Sequence, residues 1–311
     1  MRRTLIVDER FTLAQSRLPA SVSLLGDLTN MAVDVRNQYG PLEALIRAIA
    51  DRKERPTPWV DAKTYPWSDP EFSKRYVRRA DQNALIGMNE TGDEVDSLIA
   101  LLQAKPKARI LDVCAGNGRH AVAMALRGYR MTGVDIGPGA VSLARETAKN
   151  LGLGVDFREL DVRDLAIEDA YDGAYLTCGG LSDFAPDDCG RLLEVIERAL
   201  VPGGRAVIEY ADAANAPADV RAWQFVQAES SLFTDAPHLQ LEERLYDADT
   251  RSEVIRHYVV PTDGKIFEIA RCRRYFDDAT VRGALSAARF GSLEAGPGSA
   301  PGLKKIVGVK Q

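Results

Sequence analysis

From Ala108 onward, short apolar runs alternate with longer amphipathic stretches. ARILDV is an apolar run that ends at small residues, and GRHAVAMALRG follows with helical spacing, closed by Gly128. YRMTGVD reads as a second strand. GPGAVSLARETAKNLG reads as a helix with Pro138 in its first turn, where a missing N–H would have no helical partner anyway. GVDFREL, DGAYLT and GRAVIEY read as further strands, with the helix DDCGRLLEVIERAL before the last of them. Strands separated by helices of this length predict a doubly wound α/β sheet, largely parallel and covered on both faces.

After Tyr210 the period changes to two. LQLEERLYD, RSEVIRHYVV and KIFEIARCRRYF are strand-like, separated by turn segments containing DADT and TDGK. They predict an antiparallel meander inserted after the fifth strand, over residues 211–276. A helix at DDATVRGALSAARF and a strand pair at SLEAG and KKIVGVK close the chain. At the other end, Val22, Leu25, Leu28 and Met31 recur at helical spacing. Gly40-Pro41 breaks the chain before Leu42, Leu45, Ile46 and Ile49 resume it. The prediction there is a helical hairpin, then a connector, TPWVDAKTYPWSDPEF. Residues 1–84 are thus an N-terminal extension and 85–311 the α/β domain.

Composition narrows the functions. Of 311 residues, 45% are hydrophobic and 27% charged, which suits a chain with a substantial core. The net charge of −5 comes without a basic block, which argues against nucleic acid as a partner. Lys74-Arg75 with Arg78-Arg79 reads as a solvated helix face. Cys114, Cys178, Cys189 and Cys272 are scattered without a CxxC pair, arguing against a metal site and against a disulfide framework. Asp8, Glu9 and Arg10 interrupt MRRTLIVDERFTL before a signal-peptide core develops, and no segment reaches the roughly 20 apolar residues that span a bilayer. The expectation is a cytoplasmic protein with no membrane partner.

The densest chemistry lies at Leu111-Asp112-Val113-Cys114-Ala115-Gly116-Asn117-Gly118-Arg119-His120. A strand enters a glycine turn and a helix begins at once, so the backbone can approach a ligand closely. Taken alone, GNGRHA also fits a dinucleotide turn, or glycines needed only for packing. Asp112, Asp135 and Asp161 add carboxylates at or after three successive strands. Each alone reads as a loop cap, but together they line the crevice beyond the carboxyl ends of a parallel sheet.

Residues from about 85 to 210 resemble class I S-adenosylmethionine-dependent methyltransferases of the small-molecule type. ILDVCAGNGRHAVAMALRGYRMTGVDIGPGAVSLAR resembles their first two motifs, YDGAYLTCGGLSDF the fourth strand and its loop, and RLLEVIERALVPGGRAVIEY the following helix and fifth strand. Cys114 replaces the first glycine of the family's turn. The resemblance implies a Rossmann-like seven-stranded sheet and S-adenosylmethionine as cofactor, with S-adenosylhomocysteine as product and no metal. It implies that Asp112, Ala115, Gly116, Asn117 and Gly118 line the methionine and ribose part. Asp135 would hold the ribose hydroxyls, Ile136 would lie against adenine, Asp161 and Val162 would meet the adenine edge, and Thr177 would face the sulfonium. The family's Asn/Asp-Pro-Pro-aromatic signature is absent, with Thr177-Cys178-Gly179-Gly180 in its place. That argues against DNA-base and glutamine-amide acceptors.

Three histidines are available for acid–base work. His120 fits packing and capping at the helix start, which leaves His238 and His257 in the meander as candidate catalytic bases, or as ordinary packing residues. Tyr65, Trp67, Phe184 and Trp223 are candidates for lining the substrate under a lid, or for plugging the accessory elements onto the core. The N-terminal hairpin either caps the site or pairs with a second copy, and a homodimer is the preferred reading. The expected activity is methyl transfer to nitrogen or oxygen of a small molecule, mainly by proximity and alignment. Two alternatives remain. A nicotinamide dehydrogenase leaves Asp112 and Asp161 unexplained and lacks a Tyr-x-x-x-Lys pair, whereas a binding protein without turnover would keep the same carboxylates.

Overall fold

The computed structural model describes residues 58–59, 65–83, 88–217, 222–261 and 266–311. The helical hairpin expected between Ser21 and Ile49, and the dimer contact expected of it, lie outside the described residues.

Five strands run parallel in the order β3 (Asp156–Glu159), β2 (Arg130–Asp135), β1 (Arg109–Val113), β4 (Tyr171–Leu176) and β5 (Leu200–Asp212). The antiparallel strand β11 (Leu303–Lys310) continues the sheet from β5, and β10 (Phe290–Pro297) pairs with β11. The order turns back between β1 and β4. At such a switch point the two connections leave to opposite faces, and a crevice opens beyond the strand ends.

Helices cover both faces. On one, α2 (Met88–Leu102), α3 (Arg119–Leu126) and α4 (Pro138–Asn150) bury Val95, Leu98, Met124, Val141 and Ala144 against Ile110, Met131, Tyr175 and Val207. On the other, α5 (Pro186–Ala199) and α6 (Asp278–Ala287) bury Leu192, Leu193, Ile196, Val281 and Leu285 against Leu111, Val113, Val134 and Ile208. Alternation along β1 sends Ile110 to one core and Leu111 to the other, which is why these strands are apolar almost throughout. Each fully buried Leu, Ile or Val contributes about 1.5–3 kcal/mol, so the double-sided sheet supplies a rigid base for the loops above it.

The meander has four strands, β6 (Ala222–Ala228), β7 (His238–Asp247), β8 (Ser252–Pro261) and β9 (Phe267–Phe276), not the three legible in the pattern. Among the described residues it pairs with the main sheet where Ala211 and Asp212 of β5 lie parallel to Tyr275 and Phe276 of β9. A further helix, α1 (Pro70–Asn83), carries the helix face expected at Lys74-Arg75 and Arg78-Arg79 and begins inside the expected connector. It lies on the start of α4, where the Gly139 N–H donates to Ser73 Oγ at 3.0 Å. A Cβ at Gly139 would stand 2.1 Å from the Pro70 carbonyl oxygen, so this contact requires glycine.

Candidate functional site

The turn from β1 to α3 is held in left-handed backbone at Cys114 (φ 58°), Gly116 (φ 57°) and Gly118 (φ 73°). Gly118 is constrained twice, because a Cβ there would lie 2.4 Å from Phe157 Cζ. Gly133 meets the same ring, so Phe157 wedges the glycine turn against β2. Above Gly116 the nearest cover is Val77 Cγ1 of α1, 3.8 Å from a Cβ position. Asn117 Oδ1 accepts the Arg119 N–H at 3.3 Å, and Ala115 N–H donates to the Val134 carbonyl. Cys114, at the position of the missing family glycine, therefore carries backbone strain that glycine would not. Its thiol is pushed up, first by desolvation among the surrounding protein atoms and then by the carboxylates of Asp135 and Asp112.

Asp112 is 2% exposed and in register with Tyr175 of β4 across the switch point. Its Oδ2 has no hydrogen-bond partner among the described residues. Burial raises its carboxyl from 3.8 to about 7, with the Tyr175 hydroxyl opposing the shift and Asp135 adding to it. Asp135 ends β2 and accepts two backbone N–H groups, Gly116 at Oδ2 and Gly137 at Oδ1, both at 2.8 Å. Burial raises its pKa while these two bonds pull it down. Each carboxylate oxygen retains a lone pair for a ligand hydroxyl. Beside it, Ile136 is 39% exposed, which is unusual for a large apolar side chain at a strand end.

Asp161 and Val162 differ from this pattern. Arg163 grips both oxygens of Asp161, at 3.0 and 2.5 Å, and also reaches Asp188 at 2.6 Å. That contact holds the Asp161 carboxyl below its ordinary range. Val162 is buried in the core beneath α5, so only its backbone is available to a ligand.

The loop after β4 carries Thr177, Cys178 (φ 57°) and Gly179 (φ 71°). Asp183, farther along it, binds Arg271 of β9 through contacts of 2.7, 2.8 and 3.1 Å, tying the meander to the loop. On α3, His120 is buried and bonds Glu94 of α2 at 2.7 Å, and Arg119 bonds the same carboxylate. Burial pushes Glu94 up, but His120 and Arg119 outweigh it and hold it at about 2.

Tyr65 and Trp67 meet Phe72, Tyr76, Phe233 and His257 in one aromatic cluster, with Tyr65 within 5.2 Å of both Trp67 and Phe72 by ring centroid. Tyr65 Oη bonds His257 Nε2 at 2.8 Å, and Gln240 Nε2 reaches His257 Nδ1 at 3.2 Å. Desolvation, then Arg244 and Arg271, lower His257 to about 4, so it is neutral at physiological pH. Burial raises the Tyr65 phenol well above 10. A cavity of about 370 Å³ adjoins this cluster, lined by Phe72, Arg75, Phe233 and Ile269 with Asp69 and Glu268. None of the carboxylates described above lines it.

His238 is fully buried elsewhere on β7, with Nδ1 at 2.8 Å from the Ala236 carbonyl and Nε2 unpartnered among the described residues. Phe184 packs on the core beneath α5 and not in the aromatic cluster. Trp223 falls on β6 in register with Glu243, one position away from the Glu242–His257 pair. Sequence reading missed Arg271, Asp183, Tyr76 and Phe72. Phe72 and Tyr76 did carry a signal, since i, i+4 aromatics mark one face of a helix. Arg271 carried none, because one arginine among several on β9 is distinguished only by what faces it.

Residues 110–204 match the family model described as a methyltransferase domain. A ubiquinone biosynthesis O-methyltransferase of Marinobacter nauticus is 32% identical over 102 residues, 32% of this chain and 42% of that protein. Its counterpart in Xanthomonas axonopodis pv. citri is 35% identical over 98 residues, 32% of this chain and 41% of that protein. The chain thus spans less than half the length of these curated relatives. Among solved structures, the CcbJ methyltransferase of Streptomyces caelestis matches with a TM-score of 0.60 at 19% identity, covering 78% of this chain and 98% of that one. An S-adenosylmethionine-dependent methyltransferase of Clostridium acetobutylicum matches with a TM-score of 0.60 at 13% identity, covering 76% and 97%. Strand order, glycine turn and these likenesses agree: residues 110–204 match a methyltransferase domain, and the described residues share the fold of solved S-adenosylmethionine-dependent methyltransferases.

Proposed function

We propose that this protein transfers the methyl group of S-adenosylmethionine to a nitrogen or oxygen of a small-molecule acceptor. The observation that carries the reading is Asp112, a buried carboxylate with an unpartnered oxygen at the switch point of the sheet. A buried anion of this kind is costly unless a cation joins it, and the ammonium of the cofactor's amino-acid end is a fitting partner. Asp135 has lone pairs left for a ribose diol, and exposed Ile136 suits an adenine face. Ala115, Gly116, Asn117 and Gly118 form the floor, and Thr177 would face the sulfonium. Asp161 fits less well, since an adenine amine would have to share it with Arg163.

The cofactor supplies an already activated methyl group, so alignment and exclusion of water are the protein's main tasks. Tyr65, Trp67, Phe72 and Tyr76 suit the role of an apolar cover. His257, at about 4, is a weak base near neutrality, and its bond to Tyr65 favours positioning of the cover over proton abstraction. That weighs toward a neutral amine acceptor or proximity alone. His238 sits fully buried, which favours a packing role. We further infer a cytoplasmic setting, in line with the free thiols of Cys114 and Cys178. Among the described residues, no helix is long and apolar enough to cross a membrane.

Calorimetric titration with S-adenosylmethionine and S-adenosylhomocysteine, with NADH as control, tests the reading. Binding of the adenosyl compounds and not NADH, severely weakened by Asp135→Ala, is expected. Failure of both adenosyl compounds to bind would overturn the reading. Binding without turnover across amine and hydroxyl acceptors would favour a non-catalytic role.

A further inference from the structure

We propose that the methyl acceptor carries a compact oxyanion, a carboxylate or a phosphate, which docks on Arg273 and Arg119 beside the loop after β4. This rests on the methyl-transfer reading, which sets the sulfonium next to Thr177. Arg273 stands on β9 two residues beyond Arg271, so alternation directs both toward the same side of the strand. Its Nη2 lies 2.7 Å from where a Cβ on Gly179 would stand, so the guanidinium rests directly on that loop. Its Nε is buried with no hydrogen-bond partner among the described residues, and Glu253, opposite it on β8, is taken up by Arg244 and Tyr275.

The cations around it are already matched. Arg271 is held by both oxygens of Asp183, and Arg119 Nη1 by Glu94. Arg119 keeps its second nitrogen turned to the loop, with Nη2 at 3.9 Å from Cys178 Sγ. Two guanidinium groups therefore touch consecutive residues, Cys178 and Gly179, immediately after Thr177. Tyr76 is close enough to feel Arg271, Arg273 and Cys178, and burial keeps its phenol protonated, a donor rather than an anion. Of these three guanidinium groups, Arg273 alone lacks a carboxylate partner among the described residues, a cost in the free protein that a docked anion removes. Planar guanidinium groups suit carboxylate and phosphate oxygens better than any other common side chain.

The test is calorimetric titration of inorganic phosphate and, separately, of acetate into protein saturated with S-adenosylhomocysteine. Saturable binding of at least one anion is expected, weakened about tenfold or more in Arg273→Gln. Arg273→Lys should fall between, and Arg127→Gln, whose side chain pairs with Asp96 away from this loop, should match the parent. Phosphate alone would assign a phosphoryl group to the acceptor and acetate alone a carboxylate, each supporting the site. Lack of saturation by both, or unchanged affinity in Arg273→Gln, would overturn it. If Arg273→Gln does not fold, the Arg273 Nε–H resonance of the parent decides, since it must shift with added anion and a static signal overturns the proposal. S-adenosylhomocysteine binding, measured first, separates the two readings: its absence sinks methyl transfer, whereas its presence without anion binding sinks only the oxyanion site.

Discussion

Replacing Asp112 by asparagine separates what this carboxylate costs the folded chain from what it offers a ligand. Its pKa rises from 3.8 to about 7 on folding, chiefly through burial. A carboxyl raised in this way is most favourable to folding below its unfolded pKa, where both states hold the proton. That contribution is lost as pH climbs through 3.8 toward 7, because the unfolded chain releases its proton first. A shift of about 3 units at 1.36 kcal/mol per unit is about 4 kcal/mol, of which about 2–3 kcal/mol falls between pH 5 and 8.5. Asparagine keeps the shape and abolishes the titration. Asp112→Asn should therefore gain stability over the parent as pH rises, by about 2–3 kcal/mol across that window in urea unfolding. In the same variant, S-adenosylhomocysteine should bind at least about 30-fold more weakly at pH 8, since a buried charge pair has lost its anion. A stability difference that does not change between pH 5 and 8.5 would refute the burial argument. Undiminished affinity would refute the ammonium pairing.

Other substitutions probe the frame around this residue. Gly118→Ala should destabilise by roughly 2–4 kcal/mol, combining left-handed backbone with a 2.4 Å approach to Phe157; a loss below about 0.5 kcal/mol in chemical denaturation would contradict it. Cys114→Gly should be neutral or stabilising by up to about 1 kcal/mol, because glycine relieves φ 58° but adds freedom to the unfolded chain. A thermal melt showing clear destabilisation would mean that the thiol contributes packing. His257→Phe should leave the shape of the pH–rate profile unchanged above pH 5.5, since His257 is already neutral there. Disappearance of an inflection near 6.5 in that variant would restore His257 as a base.

Legibility followed the range of the interactions. The strands and helices of the α/β domain were readable because each buries a face whose period is local, as in RILDV or RHAVAMAL. The glycine turn and the three acids were readable because they sit at strand ends, where chain direction alone sends them to one crevice. The strand β6 and helix α1 were less so: QFVQ has little alternation, and α1 offers only Phe72, Tyr76 and Val77 as large apolar positions on one helix face.

By itself, then, the sequence determined the alternation of elements, the turn at Gly116 and Gly118, and the edge of the sheet where Asp112, Asp135 and Asp161 gather, since all of these follow from local pattern. Tertiary structure alone decided their states and partners. Arg163 takes up Asp161, Val162 turns into the core, and Asp112 keeps a buried oxygen without a partner among the described residues. It also decided that Tyr65 meets His257 across 192 positions of chain and that Arg273 rests on Gly179. Such contacts join residues whose own neighbours in sequence carry no trace of them. They arise only when separate elements are packed at atomic distance, where desolvation and hydrogen bonding set the charge of each group.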